Sequence, residues 1–291
     1  MSELKATVVT LIYNDVSSLL VSIESLIKQD FRNFEYLIVD DSSAQVSSVV
    51  LSEVFLKLDL NSVDYKYIKN DSNIGTVKSF NKAILNSSGD VIIPLSPGDA
   101  FVLDNSIGKI MSRFSSGCVD ILTYKSLEYL NQPYDLGRKI KQKYWHRRML
   151  NKSPHEILKY ILSYGNIISG ASTSYRKDFL IDCGLFDERY RLLEDYPFYI
   201  KVLSFCNYSY LDEPVIHYQL GGVSTSGSSL LLREDYAILY EDVMNAGKID
   251  PVLRYKFSVL HLFSTFSKVK IFFKHPILSI ALISNKLVGR L

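Results

Sequence analysis

The sequence predicts an α/β fold in which a mostly parallel central sheet is flanked by helices. Two observations carry this. Short β-branched runs alternate with stretches whose apolar residues recur every three or four positions, the periods of strand and helix respectively. Polar, acidic loops follow the second and fourth of these runs, Asp40 to Ser43 and Ser96 to Asp99, at the strand ends where parallel sheets hold ligands. At 291 residues, 47% apolar and 22% charged, the chain has the length and composition to bury a sizeable core.

Taken in order, Ala6 to Ile12 reads as a buried strand, and Val16, Leu19, Leu20, Ile23, Leu26 and Ile27 as the apolar stripe of a helix. Glu35 to Val39 is the second strand, followed by a helix marked by Val46, Val49, Val50, Val54 and Phe55. Tyr65 to Ile68 is the third strand, and Val77, Phe80 and Ile84 mark the helix after it. Val91 to Leu95 is the fourth, ending in a Pro-Gly turn. Ile107, Ile110, Met111 and Phe114 give the next helix, Val119 to Tyr124 the next strand, and Tyr196 to Phe205 a later helix. Strands alternating with helices of this length imply parallel pairing with both faces covered. The sequence contains neither GxGxxG nor GxxxxGK[ST], so a nucleotide bound here is not held by a glycine cradle.

Charge divides the chain. From Pro251 to Leu291 there are seven Lys or Arg and no Asp or Glu, whereas the first 250 residues carry a net charge of −5. Within that tail, Val259, Leu262, Phe263, Phe266, Val269, Ile271, Phe272 and Phe273 interleave with Lys268, Lys270 and Lys274. This is the pattern of an interfacial amphipathic helix that meets anionic lipid, or of a helix pair packing on the body of the chain or on a second subunit. Another basic cluster, Arg138 to Lys152, surrounds Trp145 and His146. An acidic body with only local basic clusters argues against a nucleic-acid partner. Three widely spaced cysteines, Cys118, Cys183 and Cys206, fit a reducing compartment. No charged-then-apolar leader and no apolar run of about 18 residues is visible. The expected location is cytoplasmic, peripheral on the inner face of a membrane.

Acidic residues mark the candidate chemistry. Asp40 and Asp41 end one strand, Asp99 follows another, and Glu194 and Asp195 open a helix. Three such spots suit three tasks: bonding a base or ribose, holding a divalent cation, and removing a proton from a hydroxyl.

The order of these blocks resembles family 2 glycosyltransferases. Val8 to Asn14, Ser25-Leu26, Gln29, Glu35 and Leu37 to Ser43 look like the family's opening. Asn73-Ile74-Gly75, Asn81 and Ser88 to Ile92 are similar to its second block. Arg176, Gly184 to Glu188 and Glu194-Asp195 resemble its acceptor-side block, and Tyr218 to Ser226 its closing strand and loop. The resemblance runs from about residue 4 to 226. It implies a GT-A (Rossmann-like) fold, with a donor half at 1–125, an acceptor half at 126–226 and a helical basic extension at 227–291.

The resemblance also implies a nucleotide-diphospho-sugar donor and inverting displacement onto a hydroxyl of a cell-surface glycan or lipid-linked saccharide. Asp195, with Glu194 beside it, would be the catalytic pair, Asp195 acting as general base. Donor binding would fall to Tyr13, Asn14, Asp40, Asp41, Asn73, Gly75, Lys78, Ser96, Asp99 and Arg176. The sequence departs from the family at one point: Gly98 stands where the first acid of a cation-binding pair is expected, leaving Asp99. A divalent cation, Mn²⁺ or Mg²⁺, would be held by Asp99 with His217 as a nitrogen ligand, or cationic side chains (Lys78, Arg176, Arg191) would stabilise the leaving diphosphate instead. The glycine also motivates a second reading, a nucleotide-sugar-binding protein that keeps the fold without turnover. A nucleotidyltransferase is disfavoured, because Tyr13 to Ser18 is neither glycine-rich nor basic.

Overall fold

Strand β1 (Ala6–Ile12) is buried at all but one position, which requires a central strand covered on both faces. Its neighbour β2 (Phe34–Asp40) is buried throughout, while β3 (Asp64–Lys69) alternates exposed and half-buried residues as an edge strand does. These three and β4 (Val91–Pro94) pair in parallel in the order β3-β2-β1-β4. They are linked by α1 (Leu19–Leu26), α2 (Ser48–Leu60) and α3 (Thr76–Asn86). The computed structural model describes residues 3–44, 47–129, 144–220, 230–247 and 249–261.

Beyond β4 the sheet becomes mixed. The chain continues through β5 (Ala100–Phe101), α4 (Ser106–Ser116), β6 (Ile121–Tyr129), α5 (Tyr144–Leu150), α6 (Pro154–Tyr164) and β7 (Thr173–Arg176). It then forms α7 (Lys177–Asp182), α8 (Asp195–Val202), β8 (Tyr208–Gln219), α9 (Leu230–Asn245) and α10 (Pro251–His261). The full order is β3-β2-β1-β4-β7-β6-β8-β5, with β7 antiparallel to both neighbours and β6 parallel to β8. This is the curled, mostly parallel α/β sheet expected. The sequence ended the fifth strand at Tyr124, but β6 runs on to Tyr129 past a register shift at Tyr124 to Ser126. The bulge breaks the alternation that would otherwise have extended the strand.

Strand alternation sorts the core into two layers. Val8, Tyr36, Ile38, Val91 and Ile93 pack with Leu19, Ile23, Ile107, Ile110 and Phe114 of α1 and α4 on one face. Val9, Leu37, Val39 and Ile92 pack with Val77, Phe80 and Ile84 of α3 and with α6, α8, α9 and α10 on the other. Leu239 and Val243 of α9 and Phe257 of α10 are fully buried in the same core as α3 and α8. Of the basic extension, residues 262–291 lie outside the described residues, as do 130–143 and 221–229. Among the described residues no helix is long and apolar enough to cross a membrane.

Several motif residues turn out to be scaffold. Glu35 is buried at the amino ends of the strands, where its Oε1 accepts from Thr7 Oγ1 at 2.8 Å and from the Ser88 N–H. Lys66 Nζ lies 3.2 Å from its other oxygen. Gly89 follows because a Cβ there would lie 2.6 Å from the Ala6–Thr7 backbone. Asn81 accepts the Phe186 N–H and donates to the Phe186 carbonyl at 3.1 and 2.8 Å, docking α3 on the 184–188 turn.

Burial raises the Glu35 carboxyl, but hydrogen bonds from Ser88, Thr7 and Lys66 outweigh it and bring the pKa from 4.5 down to about 2. Its stabilisation is therefore present above pH 4.5 and is lost as the pH falls towards 2. Glu35→Gln is expected to cost about 1.5–3 kcal/mol near neutrality, the range for hydrogen bonds to a charged group. In urea unfolding, the gap between variant and wild type should close across that acid window.

Candidate active site

A cavity of about 1360 Å³ opens at the carboxyl ends of β1, β2 and β4 and is closed on the far side by β6, the 166–172 segment, the 191–195 loop and α9. Single-ligand pockets typically measure about 300–1,000 Å³, so this one has room for two reactants side by side.

The donor-side wall is built around Asp41. Its own N–H bonds back to the Ile12 carbonyl at 2.9 Å, and Ser42 takes a left-handed φ of +63° to turn the loop. The carboxylate accepts from Asn70 Nδ2 and the Ile74 N–H through Oδ1, and from the Gly75 N–H through Oδ2, each at 2.9 Å. These amides lie at the start of α3, where unpaired N–H groups favour an anion. A carboxylate offers about four acceptor sites, so Oδ2 keeps one for an incoming N–H. Tyr13, 54% exposed, presents its ring at the lip of the same wall, and Asn73, Gly75 and Ser96 also line it.

Three expected donor residues lie elsewhere. Asp40 is fully buried away from the cavity, accepting from the Ser43 N–H at 2.8 Å and the Tyr67 hydroxyl at 2.7 Å. Arg176 donates to the Val119 and Phe114 carbonyls at 3.1 and 3.0 Å and lies over the Phe114 ring. Lys78 is on the exposed face of α3. Asn14 acts one step back, its Oδ1 accepting the Ala44 N–H at 2.9 Å to brace the loop after Asp41. Arg191 is the one Lys or Arg that lines the cavity among the described residues, its Nη2 3.0 Å from Asn73 Oδ1.

Asp99 lies in the floor, 2% exposed. Its Oδ1 accepts the Gln219 N–H at 2.8 Å, while Oδ2 is buried with no partner. Burial pushes its carboxyl up to about 7 against the hydrogen bonds from Gln219 and Ser96. An orphaned carboxylate oxygen of this kind fits a cation that also takes water and phosphate oxygens. His217 is not among the residues lining the cavity; it pairs with Ala100 across β5 and β8 and sets its ring edge-on to Tyr129. No group of three or more metal-ligating side chains occurs among the described residues.

Gly98 has a steric reason. It sits at φ +90°, and a Cβ there would stand 1.7 Å from Gln219 Oε1. Its N–H bonds to the Ser18 carbonyl and Ser22 Oγ at 3.0 and 3.1 Å, and its carbonyl accepts from the Tyr129 hydroxyl. The place of the missing acid is filled by the Gln219 carboxamide.

Glu194 and Asp195 stand on the opposite wall at the start of α8. Asp195 Oδ2 accepts from Asn166 Nδ2 and the Gly170 N–H, both at 3.2 Å, and Oδ1 from the Tyr196 N–H at 2.6 Å, leaving an acceptor site on Oδ1. Burial raises both carboxyls above the ordinary range, and for Glu194 the adjacent Asp195 charge adds to it. Sequence reasoning missed Asn166, Gly170, Glu128 and Tyr236, which also line the cavity. They lie in irregular segments or in regions read as lying between or beyond the motifs.

A family model described as Glycosyl transferase family 2 matches residues 7–182. A 74-residue stretch is 38% identical to the bifunctional glycosyltransferase pgtA of Dictyostelium discoideum, covering 25% of this chain and only 9% of that protein. An uncharacterized glycosyltransferase of Haemophilus influenzae is 24% identical over 254 residues, 80% of this chain and 77% of its own length. Among solved structures, S. aureus TarS 1-349 in complex with UDP-GlcNAc superposes with a TM-score of 0.66 at 19% identity, covering 98% of this chain and 81% of that one. The mannosyltransferase PcManGT from Pyrobaculum calidifontis, in complex with GDP-Man and Mn²⁺, gives 0.61 at 14% identity, covering 99% and 76%. At these identities the structural likeness establishes the GT-A fold.

Because φ at Gly98 is strained for any side chain and Gln219 must also move, Gly98→Ala is expected to destabilise the chain by about 1–3 kcal/mol. A denaturant midpoint equal to that of wild type would show instead that the loop relaxes without cost.

Proposed function

The chain belongs to glycosyl transferase family 2, and from its site we propose that it moves a sugar from a nucleotide-diphospho-sugar to an acceptor hydroxyl by inverting single displacement. The observation that carries the reading is one cavity with Asp41 and Asp99 on the donor side and a desolvated Glu194-Asp195 pair facing them.

In this reading the base of the donor stacks on Tyr13 and gives an N–H to Asp41 Oδ2. Arg191 faces the leaving diphosphate, and Asp99 would hold a divalent cation, Mn²⁺ or Mg²⁺, which when bound neutralises phosphate charge. Asp195 Oδ1 takes the proton of the acceptor hydroxyl as its oxygen attacks the anomeric carbon. The C–O bond to the sugar forms on one face while the bond to the diphosphate breaks on the other, so the configuration inverts. The acceptor is a glycan or lipid-linked saccharide presented at an anionic cytoplasmic membrane surface, a reading supported by the seven cations and no anions of residues 251–291.

Calorimetric titration with UDP, GDP and dTDP, each with and without Mn²⁺, tests the donor site. One nucleotide is expected to bind, more tightly with the metal; binding of none would end the donor-site assignment. Asp195→Asn removes the base and should reduce transfer by about 10²–10⁴-fold while leaving nucleotide affinity intact.

The acid limb of kcat/KM reports the Asp195 carboxylate, which must be ionised to act. Burial raises its pKa, so activity should fall with decreasing pH before the ordinary Asp value is reached. The Asn166 hydrogen bond opposes that rise. Asn166→Ala is therefore expected to move the acid limb to still higher pH, and an unmoved limb would remove Asp195 from the base role.

A further inference from the structure

The loop that delivers the catalytic pair has no regular structure between Gly184 and Asp195, yet it must place a carboxylate to within a fraction of an ångström. Its backbone is held by one side chain from α9. Asp235, 2% exposed, accepts the Arg191 N–H at 2.9 Å through Oδ1, and the Leu192 and Leu193 N–H groups at 2.7 and 2.9 Å through Oδ2. Three successive backbone donors converge on one buried carboxylate immediately before Glu194 and Asp195.

The same segment reaches the donor wall. The Arg191 carbonyl accepts the Val77 N–H in the first turn of α3 at 3.3 Å, and its guanidinium bonds to Asn73. Its side chain and carbonyl also lie against Gly75: a Cβ at that glycine would be 2.7 Å from Arg191 Cγ and 2.9 Å from Arg191 O. Gly75 and Ile74 are the residues whose amides bind Asp41. Two turns along α9 from Asp235, Asp242 takes both Arg189 Nη atoms at 2.9 and 2.7 Å and the Tyr190 hydroxyl at 2.7 Å. That outer clamp fixes the loop's approach, whereas Asp235 fixes its final three residues.

We propose that Asp235 is a positioning residue: by gripping residues 191–193 it sets Arg191 against the Asp41–Gly75 wall and Asp195 on the facing wall as a single piece. The catalytic half of the claim rests on the transferase reading above; the mechanical half does not. The sequence motifs that carry the family resemblance end at residue 226, before this residue.

The test is Asp235→Asn in the full chain, read first by hydrogen exchange without ligand. A carboxamide keeps the shape but replaces one acceptor oxygen with a donor. Exchange at 191–193 and at the Ile74 and Gly75 amides is expected to rise tenfold or more, with the amides of β1 and β2 unchanged. Unchanged exchange at 74 and 75, or a rise shared equally by every amide, overturns the proposal and leaves Asp235 merely structural. If the variant does not fold, Arg191→Ala breaks the bridge from its other end. Residues 74 and 75 should then loosen while 192 and 193 stay protected; unchanged protection at 74 and 75 again overturns it.

Hydrolysis of UDP-GlcNAc and GDP-mannose gives the catalytic reading. Asp235→Asn should lower kcat at least tenfold, Asp235→Glu should recover part of the loss, and Asp242→Asn should lower the melting temperature with kcat within threefold. Wild-type kcat in a folded Asp235→Asn chain refutes the catalytic half. A wild-type chain that turns over neither donor and binds no nucleotide counts against the transferase reading, and the exchange result still decides the clamp.

Discussion

Everything at the carboxyl end of this sheet depends on a carboxylate accepting backbone N–H groups from the start of a helix. Asp41 leaves β2 and immediately satisfies two amides ahead of α3. Those amides have no partner within the helix and would otherwise be orphaned. The bond fixes how far α3 sits from β1 and β2, and so the width of the cavity on the donor side. It also holds the Asp41 charge where the helix end favours it, so the group is kept as an acceptor for a ligand without being buried unpaired. Asp235 repeats the device across the cavity with three backbone donors. The two walls are thus positioned by the same chemistry, and Arg191 joins them.

The acids that face into the cavity are treated differently from those that build it. Glu35 takes hydrogen bonds from Thr7 and Ser88 on one oxygen and has Lys66 Nζ 3.2 Å from the other, and its pKa falls to about 2. Asp99, Glu194 and Asp195 have fewer donors than burial demands, and their pKa values rise. A carboxylate raised in this way is a better proton acceptor than an exposed one, because its proton affinity lies nearer the working pH. The balance between desolvation and the donors and cations nearby, and not residue type, therefore separates Glu35 from Asp99, Glu194 and Asp195.

That distinction explains what the sequence disclosed. The parallel half was legible because β1 and β2 are buried on both faces and their apolar runs are unbroken; the order of helices and strands followed. β5 and β7 span two and four residues, too short for a period to register. Asp41, Asp99 and Asp195 were legible as acids at loop ends. Asp40 had the same appearance and Arg176 stood in a matching motif, yet Tyr67 engages the first and two backbone carbonyls the second. Nothing in a one-dimensional pattern distinguishes a carboxylate that faces a cavity from one that faces a tyrosine hydroxyl. Asp235 was hidden for another reason: its partners lie more than forty residues earlier in sequence, and its helix lay past the point where the motifs ended.

Gly98 shows how a missing acid can be a consequence of packing. The backbone there must reach Ser18, Ser22 and Tyr129 at once, and it does so at a φ that glycine adopts freely and an aspartate does not. Once the turn is set, Gln219 occupies the vacated volume, and its N–H binds the remaining acid, Asp99. A neutral amide therefore stands beside Asp99 where the resemblance would place a carboxylate. The glycine and the glutamine are thus explained together by the packing of one turn, a steric reason for the absent acid that requires no loss of turnover.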